Sequence, residues 1–203
     1  NCRKVWYNDL NTSYGVNSMD AQHLLAACRD AGIDFYTGVP DSQLKGLCDT
    51  LYATLGVKGK HVVAANEGNA IGLCAGHYLA TGRPALCYMQ NSGLGNAVNP
   101  IASLMDGQVY AMPCLLVVGW RGEPGVKDEP QHVKQGQVTL SQLELLDVPY
   151  MVLDKVMTDA DFDAAFADIR AHLAANRTAA IVVKKGALTC SLKPEYRNDH
   201  AMT

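Results

Sequence analysis

Apolar residues in this chain gather in short unbroken runs, and after each run they recur every third or fourth position. The alternation predicts strands feeding helices. From about Ser18, a suitable N-cap, AQHLLAACRDAG has helical period and Gly32 stops it. IDFYTG reads as a strand, DSQLKGLCDTLYATLG as a helix capped by Asp41, and HVVAA (His61 to Ala65) as a second strand. EGNAIGLCAGHYLATG is a small-residue helix ending at Gly82, PALCYMQ a third strand, and GNAVNPIASLMD a loop entering a helix. MPCLLVVGW (Met112 to Trp120) is a fourth strand, apolar throughout. Beyond a polar loop come the helix LSQLELLD, the strand PYMVL, the helix DADFDAAFADIRAHLAANR and the strand AAIVVKK.

Continuous apolar strands bounded by Gly and Pro are buried on both faces, which is the signature of a parallel sheet. Six of them predict an α/β domain, doubly wound, with a six-stranded mostly parallel sheet and helices on both faces. Ligands in such sheets bind beyond the carboxyl ends of the strands. Four loops are thereby singled out: TGVPDS, ANEGN, MQNSGLGN and GWRGEPGVKDEPQH, the last read as a long loop from Gly119 to Gly136. The domain is expected over 18–189. Residues 1–17 show no period and read as an extension of unclear origin, and the polar stretch 190–203 reads as the start of an interdomain linker.

Composition narrows the class without naming a chemistry. The 203 residues are 48% apolar and 18% charged, enough for one well-buried domain. A net charge of -3 gives no basic field to attract nucleic acid, and no apolar run approaches the ~20 residues of a membrane span. Seven scattered cysteines with no C-x-x-C pair fit a reducing cytoplasm better than a disulfide framework or a zinc site.

Glu67 is the first candidate for chemistry, placed where a strand ends and a helix begins. Its position alone is better explained by favourable electrostatics at a helix N-terminus. The helix behind it changes the weighing, because Gly68, Ala70, Gly72, Ala75, Gly76 and Ala80 give it a nearly bare face. Glycine costs about 0.8–1.0 kcal/mol relative to alanine in a helix, so several together imply close approach of another surface. MQNSGLGN resembles a phosphate-cradling turn, but Val98 stands where the dinucleotide fingerprint needs a third Gly, and no P-loop Lys is present. Asp41 and Ser42 suit helix capping, with Pro40 in the turn before them. In the fourth loop Arg121 could grip an anion through its bidentate fork, while Lys127, Asp128 and Glu129 read as a solvated mixed-charge stretch.

Taken together, GVPDS, ANEGNAIGLCAGHYLATG, YMQNSGLGNAVNP and GWRGEPGVKDEPQHVKQG resemble the phosphonopyruvate decarboxylases over about Ser18 to Thr189. The α subunit of sulfopyruvate decarboxylase shares the general plan and stays an alternative. A pyrimidine-domain partner without chemistry is a third reading. The resemblance implies thiamine diphosphate as cofactor and phosphonopyruvate as the 2-keto acid. It also implies Mg2+, held on a separate diphosphate-binding domain or subunit whose Gly-Asp-Gly…Asn pattern is absent from this chain, and a homo-oligomer. Glu67 would be the catalytic carboxyl, hydrogen-bonding the pyrimidine ring nitrogen. Val39, Pro40, Gly95 and Asn96 would join it around the cofactor, and Asp41, Ser42, Gln90, Asn91 and Arg121 would face the substrate.

Overall fold

The computed structural model describes residues 18–195. The expected extension 1–17, and residues 196–203 of the expected linker, lie outside the described residues. Six parallel strands form one sheet: β2 (Tyr36–Gly38), β3 (His61–Val63), β4 (Ala85–Gln90), β5 (Cys114–Gly119), β6 (Tyr150–Leu153) and β7 (Ala179–Val183). Their spatial order is β3-β2-β4-β5-β7-β6. All five neighbouring pairs run parallel. A second, two-stranded sheet joins β1 (Met19–Asp20) to β8 (Leu188–Thr189), tying the two ends of the domain together. Two-residue strands carry no readable period, so this clasp has no signal in the sequence.

Helices α1 (Ala21–Asp30), α2 (Lys45–Leu55) and α6 (Asp159–Ala174) cover one face. Helices α3 (Glu67–Thr81), α4 (Leu94–Pro100) and α5 (Pro130–Leu145) cover the other. The strands split their side chains strictly between the two cores. Leu86 and Tyr88 of β4 join the first core, and Ala85, Cys87 and Met89 the second. This two-sided burial is why the strands read as continuous apolar runs rather than alternating ones.

Several local expectations shift. The N-cap of α1 is Asp20, not Ser18; its carboxylate accepts from Gln22 N at 2.8 Å. The segment expected to loop into a helix has no loop, because a single helical turn, Asn91–Gly93, passes directly into α4. Pro100 then ends regular winding, and the chain continues as a π-helical turn, Ile101–Met105. Proline has no N–H to offer the carbonyl four residues back, and its ring crowds that carbonyl. The long loop read over 119–136 is also shorter than expected, since α5 begins at Pro130. Proline suits the first helical turn, where its N–H has no partner in any case. Gly136 lets this early part of α5 press on the preceding loop, since a Cβ there would lie 1.6 Å from the Gly122 carbonyl oxygen.

The strand order places the crevice. Beyond β2 the chain crosses outward to β3, whereas beyond β4 it crosses the opposite way to β5. The adjacent ends of β2 and β4 therefore form the switch point where such sheets bind ligands.

Candidate active site

Glu67 opens α3 immediately beyond β3, one strand out from the switch point. Asn66 caps the helix, its side-chain oxygen accepting from Gly68 N at 2.8 Å. The fixed helix start aims the Glu67 side chain across at α4. There Asn96 Nδ2 donates to Glu67 Oε2 at 2.8 Å. The aliphatic part lies directly on Gly93: a Cβ at that position would sit 2.4 Å from Glu67 Cγ and 2.6 Å from Oε1. The contact requires glycine. A Cβ on Gly68 would lie 3.0 Å from the Asn96 carbonyl oxygen, so the two helix starts interlock. Gly95 faces open space, and the Glu67 side chain is half-buried.

The loop after β2 supplies a second corner. Val39 N donates to Tyr88 O at 3.0 Å, and Pro40 is exposed. Asp41 caps the short turn Ser42–Leu44, accepting from Gln43 N at 2.9 Å. The same carboxylate lies over Gly119 at the end of β5, bridging two strand ends. Burial pushes its carboxyl above the usual range, against the Gln43 N–H and the nearby Arg121 charge, which pull it down. Arg121 clamps Asp128 through Nε at 2.8 Å and Nη2 at 2.5 Å, and its Nη1 donates to Ser42 Oγ at 3.1 Å. Asp128 also accepts from Gly122 N and Glu129 N. These bonds, the Arg121 one foremost, hold its carboxyl well below the usual carboxylate range. Asp128 is therefore no solvated bystander, contrary to the sequence reading, while Lys127 and Glu129 are exposed as expected. Nothing in the loop composition distinguishes the carboxylate that meets Arg121 from its neighbours.

Gln90 is half-buried and donates to Ser92 Oγ at 2.7 Å. Asn91 departs from its expected place facing a substrate. It is fully buried; its Nδ2 donates to Arg121 O and Thr139 Oγ1, both at 2.8 Å, and its Oδ1 accepts from Arg121 N. Gln135 Nε2 adds a bond to its backbone oxygen. Asn91 is a latch joining β4, the loop after β5 and α5. Its position one residue beyond a buried strand, where unpaired backbone groups begin, is consistent with that work. Gln43, Gln135 and Thr139 share in this support and carry no sequence signal of it.

A family model described as thiamine pyrophosphate enzyme, N-terminal TPP binding domain, matches residues 20–145, which takes in both corners. The chain belongs to that family. This TPP binding domain is 34% identical over 154 residues to a phosphonopyruvate decarboxylase of Streptomyces viridochromogenes, covering 76% of the chain but 37% of the relative. It is 39% identical over 124 residues to the sulfopyruvate decarboxylase α subunit of Methanococcus maripaludis, covering 61% of the chain and 71% of that subunit. Benzoylformate decarboxylase from Polynucleobacter necessarius has the same fold, with a TM-score of 0.58 over 87% of this chain and 32% of that one, at 16% identity.

The TPP binding domain has residues that fit the pyrimidine end of thiamine diphosphate. Glu67 has one oxygen held by Asn96, its side chain fills the space over Gly93, and Gly95 alone of the two glycines faces open space where a flat ring has room to approach. Among the described residues no group of three or more His, Cys, Asp or Glu could hold a metal ion. Among those residues no helix is long and apolar enough to cross a membrane.

Proposed function

We propose that this chain is the pyrimidine-binding half of a thiamine-diphosphate-dependent decarboxylase that converts phosphonopyruvate to phosphonoacetaldehyde and carbon dioxide. The observation that carries the reading is the Glu67 carboxylate, oriented by Asn96 on a glycine-floored corner beside the switch point. Bound thiamine diphosphate supplies the electron sink for loss of carbon dioxide, the difficult part of the chemistry. The protein's share is position and proton traffic. Asn96 Nδ2 can only donate, so it keeps Glu67 Oε2 an acceptor, and Oε1 would be the oxygen that holds or releases a proton toward the pyrimidine nitrogen. Val39 and Pro40 would flank the ring, with Gly95 and Asn96 forming its other wall. Ser42, Gln90 and Arg121 would face the keto acid. Asp41, which caps the turn Ser42–Leu44 and lies over the end of β5, would face the keto acid beside them.

Mg2+ and its ligands would come from a diphosphate-binding domain or subunit. A homo-oligomer in the cytoplasm completes the proposal. The exposed side of α3 supports an interface, since Gly72 and Gly76 have nothing within 4 Å of a Cβ and Leu73 and Leu79 are exposed beside them. The second reading, a sulfopyruvate decarboxylase α subunit, is favoured by the 39% identity to such a subunit, of which the match covers 71%.

Glu67→Gln in the complete enzyme should cut turnover by about 10²–10⁴-fold, the span of general acid–base contributions, with the circular dichroism spectrum and melting temperature preserved. Near wild-type turnover in that variant would reject the catalytic role. Side-by-side assay of phosphonopyruvate and sulfopyruvate separates the two substrates.

A further inference from the structure

Behind the Arg121 clamp lies a cavity of about 300 Å3, lined among others by Ser42, Lys45, Arg121, Asp128, Lys185 and Gly186. It is built from three separate stretches of chain: the entry to α2, the loop after β5, and the turn between β7 and β8. Three of its side chains are cations. Its single lining carboxylate, Asp128, is saturated on both oxygens by Arg121, Gly122 N and Glu129 N. We infer that this cavity is an oxyanion subsite for the tetrahedral head, phosphonate or sulfonate, of the keto acid. As a substrate subsite it rests on the decarboxylase reading above; as an anion site it does not.

The donor inventory supports that chemistry. Arg121 is held rigid, with Nε and Nη2 on Asp128 and Nη1 turned to Ser42. Ser42 Oγ accepts that bond, so its own O–H is free to donate, and Nη1 keeps a second N–H. Lys45 shares its charge with Asp49 one helical turn away and has further N–H groups to offer. Lys185 is exposed and has no ion pair among the described residues. Gly186 places no side chain between these cations. Its φ of +71° is a left-handed conformation open to glycine, and it lets the Lys155 chain pass close by, with Cε 3.0 Å from a would-be Cβ. A tetrahedral phosphonate or sulfonate head offers three oxygens to several convergent donors, whereas a planar carboxylate offers two. The arrangement therefore selects for charge and shape together. Ser42 lies in the loop after β2 at the switch point and Arg121 in the loop after β5, next to β4, so a cavity walled by both would anchor the substrate's second anionic group at the same end of the sheet as its reacting end.

The test reads ion binding by the chain itself, independent of turnover. Methylphosphonate, methanesulfonate and acetate are titrated separately, following the backbone amides of Lys185 and Gly186 and the Arg121 Nε–H by nitrogen-15 NMR. Saturable shifts at those three positions with methylphosphonate or methanesulfonate, and at least tenfold weaker binding in a Lys45→Gln/Lys185→Gln variant, are expected. The tighter of the two tetrahedral ions identifies the substrate head. No saturable shift, or acetate bound as tightly as both, overturns the subsite while leaving the role of Glu67 standing. Conversely, saturable tetrahedral-ion binding in a protein whose complete enzyme decarboxylates neither keto acid would retain the anion site and discard the decarboxylase reading. Both lysines are exposed, so the double variant should keep the fold, which the unperturbed remainder of the spectrum verifies.

Discussion

The two corners of the site are built on opposite principles. Around Glu67 the chain provides a single side-chain hydrogen bond, a floor of glycine and an exposed flank. Around Arg121 it provides a closed network, in which Asp128, Ser42, Asn91, Gln135 and Thr139 satisfy one another. The first corner has unused capacity facing outward and depends on another surface to dry it. The second is held rigid before anything binds, with the Ser42 O–H and one Arg121 Nη1 N–H left to donate. A reacting carboxyl needs a mobile proton and room for a ring, while an anchor for a remote charge gains from being rigid, because preorganised donors lose little entropy on binding.

The largest effect expected from perturbing this contrast is at Gly93. Gly93→Ala places a Cβ within 2.6 Å of three Glu67 atoms, so the carboxyl must move. Misplacement by about 1 Å can cost ~10²-fold in rate, so turnover in the complete enzyme should fall by about that factor. Because Glu67 is only half-buried it can swing outward, and the melting temperature should barely change. A large loss of stability with turnover intact would show the corner to be structural.

Asn91→Ala should behave in the opposite way. It strips bonds from a fully buried network and leaves Arg121 O, Arg121 N and Thr139 Oγ1 short of a partner. Buried unsatisfied groups cost about 1–3 kcal/mol each, and partial relaxation should hold the total near the upper end of that range. Urea denaturation measures it. A change within about 0.5 kcal/mol, the range of ordinary surface substitutions, would mean that the closed corner is held by something else.

How much of this is legible in the sequence follows from the same contrast. The six strands, the two-sided core and the four loops at the strand ends are readable, because burial on both faces imposes a pattern that survives in one dimension. Glu67 stands out through its glycine-rich helix. Its partnership with Asn96 does not, since residues 29 positions apart acquire meaning only once α3 and α4 interlock. Asn91 misleads because an amide beside a glycine turn looks alike whether it faces a ligand or the interior. The fourth loop misleads through its charge: the pairing of Arg121 with Asp128 rather than with Glu123 or Glu129 is decided by loop geometry, and Pro130 as a helix start is outweighed by the polar residues around it.

Asn96→Ala tests the open corner more gently. It removes the donor to Oε2 and nothing else that touches Glu67. A hydrogen bond to a charged group contributes about 1.5–3 kcal/mol, so a loss of turnover near the lower bound, roughly tenfold, is expected with stability maintained. Asn96→Asp should be worse than Ala, because a second carboxylate repels the first. Equal activity in the two variants would show that Asn96 does not orient Glu67.

The smallest effect is expected from acid at the closed corner, and its sign is fixed. The Asp128 carboxyl is held below its ordinary value chiefly by the Arg121 hydrogen bond. A depressed carboxyl adds stability that is fully present above the unfolded value of ~3.9 and drains away as pH falls through the folded one. Hydrogen exchange of the Gly122 and Glu129 amides, which donate to Asp128, should therefore stay slow from neutral pH down to about 4.5, after correction for intrinsic rates, and speed up only below that. Asp128→Asn should accelerate both amides already at neutral pH, because a neutral amide replaces the anion that draws Arg121 and both N–H groups together. If these amides loosen between pH 7 and pH 5 in the wild type, the clamp is not closed in solution, and the rigidity that separates this corner from the one around Glu67 is lost.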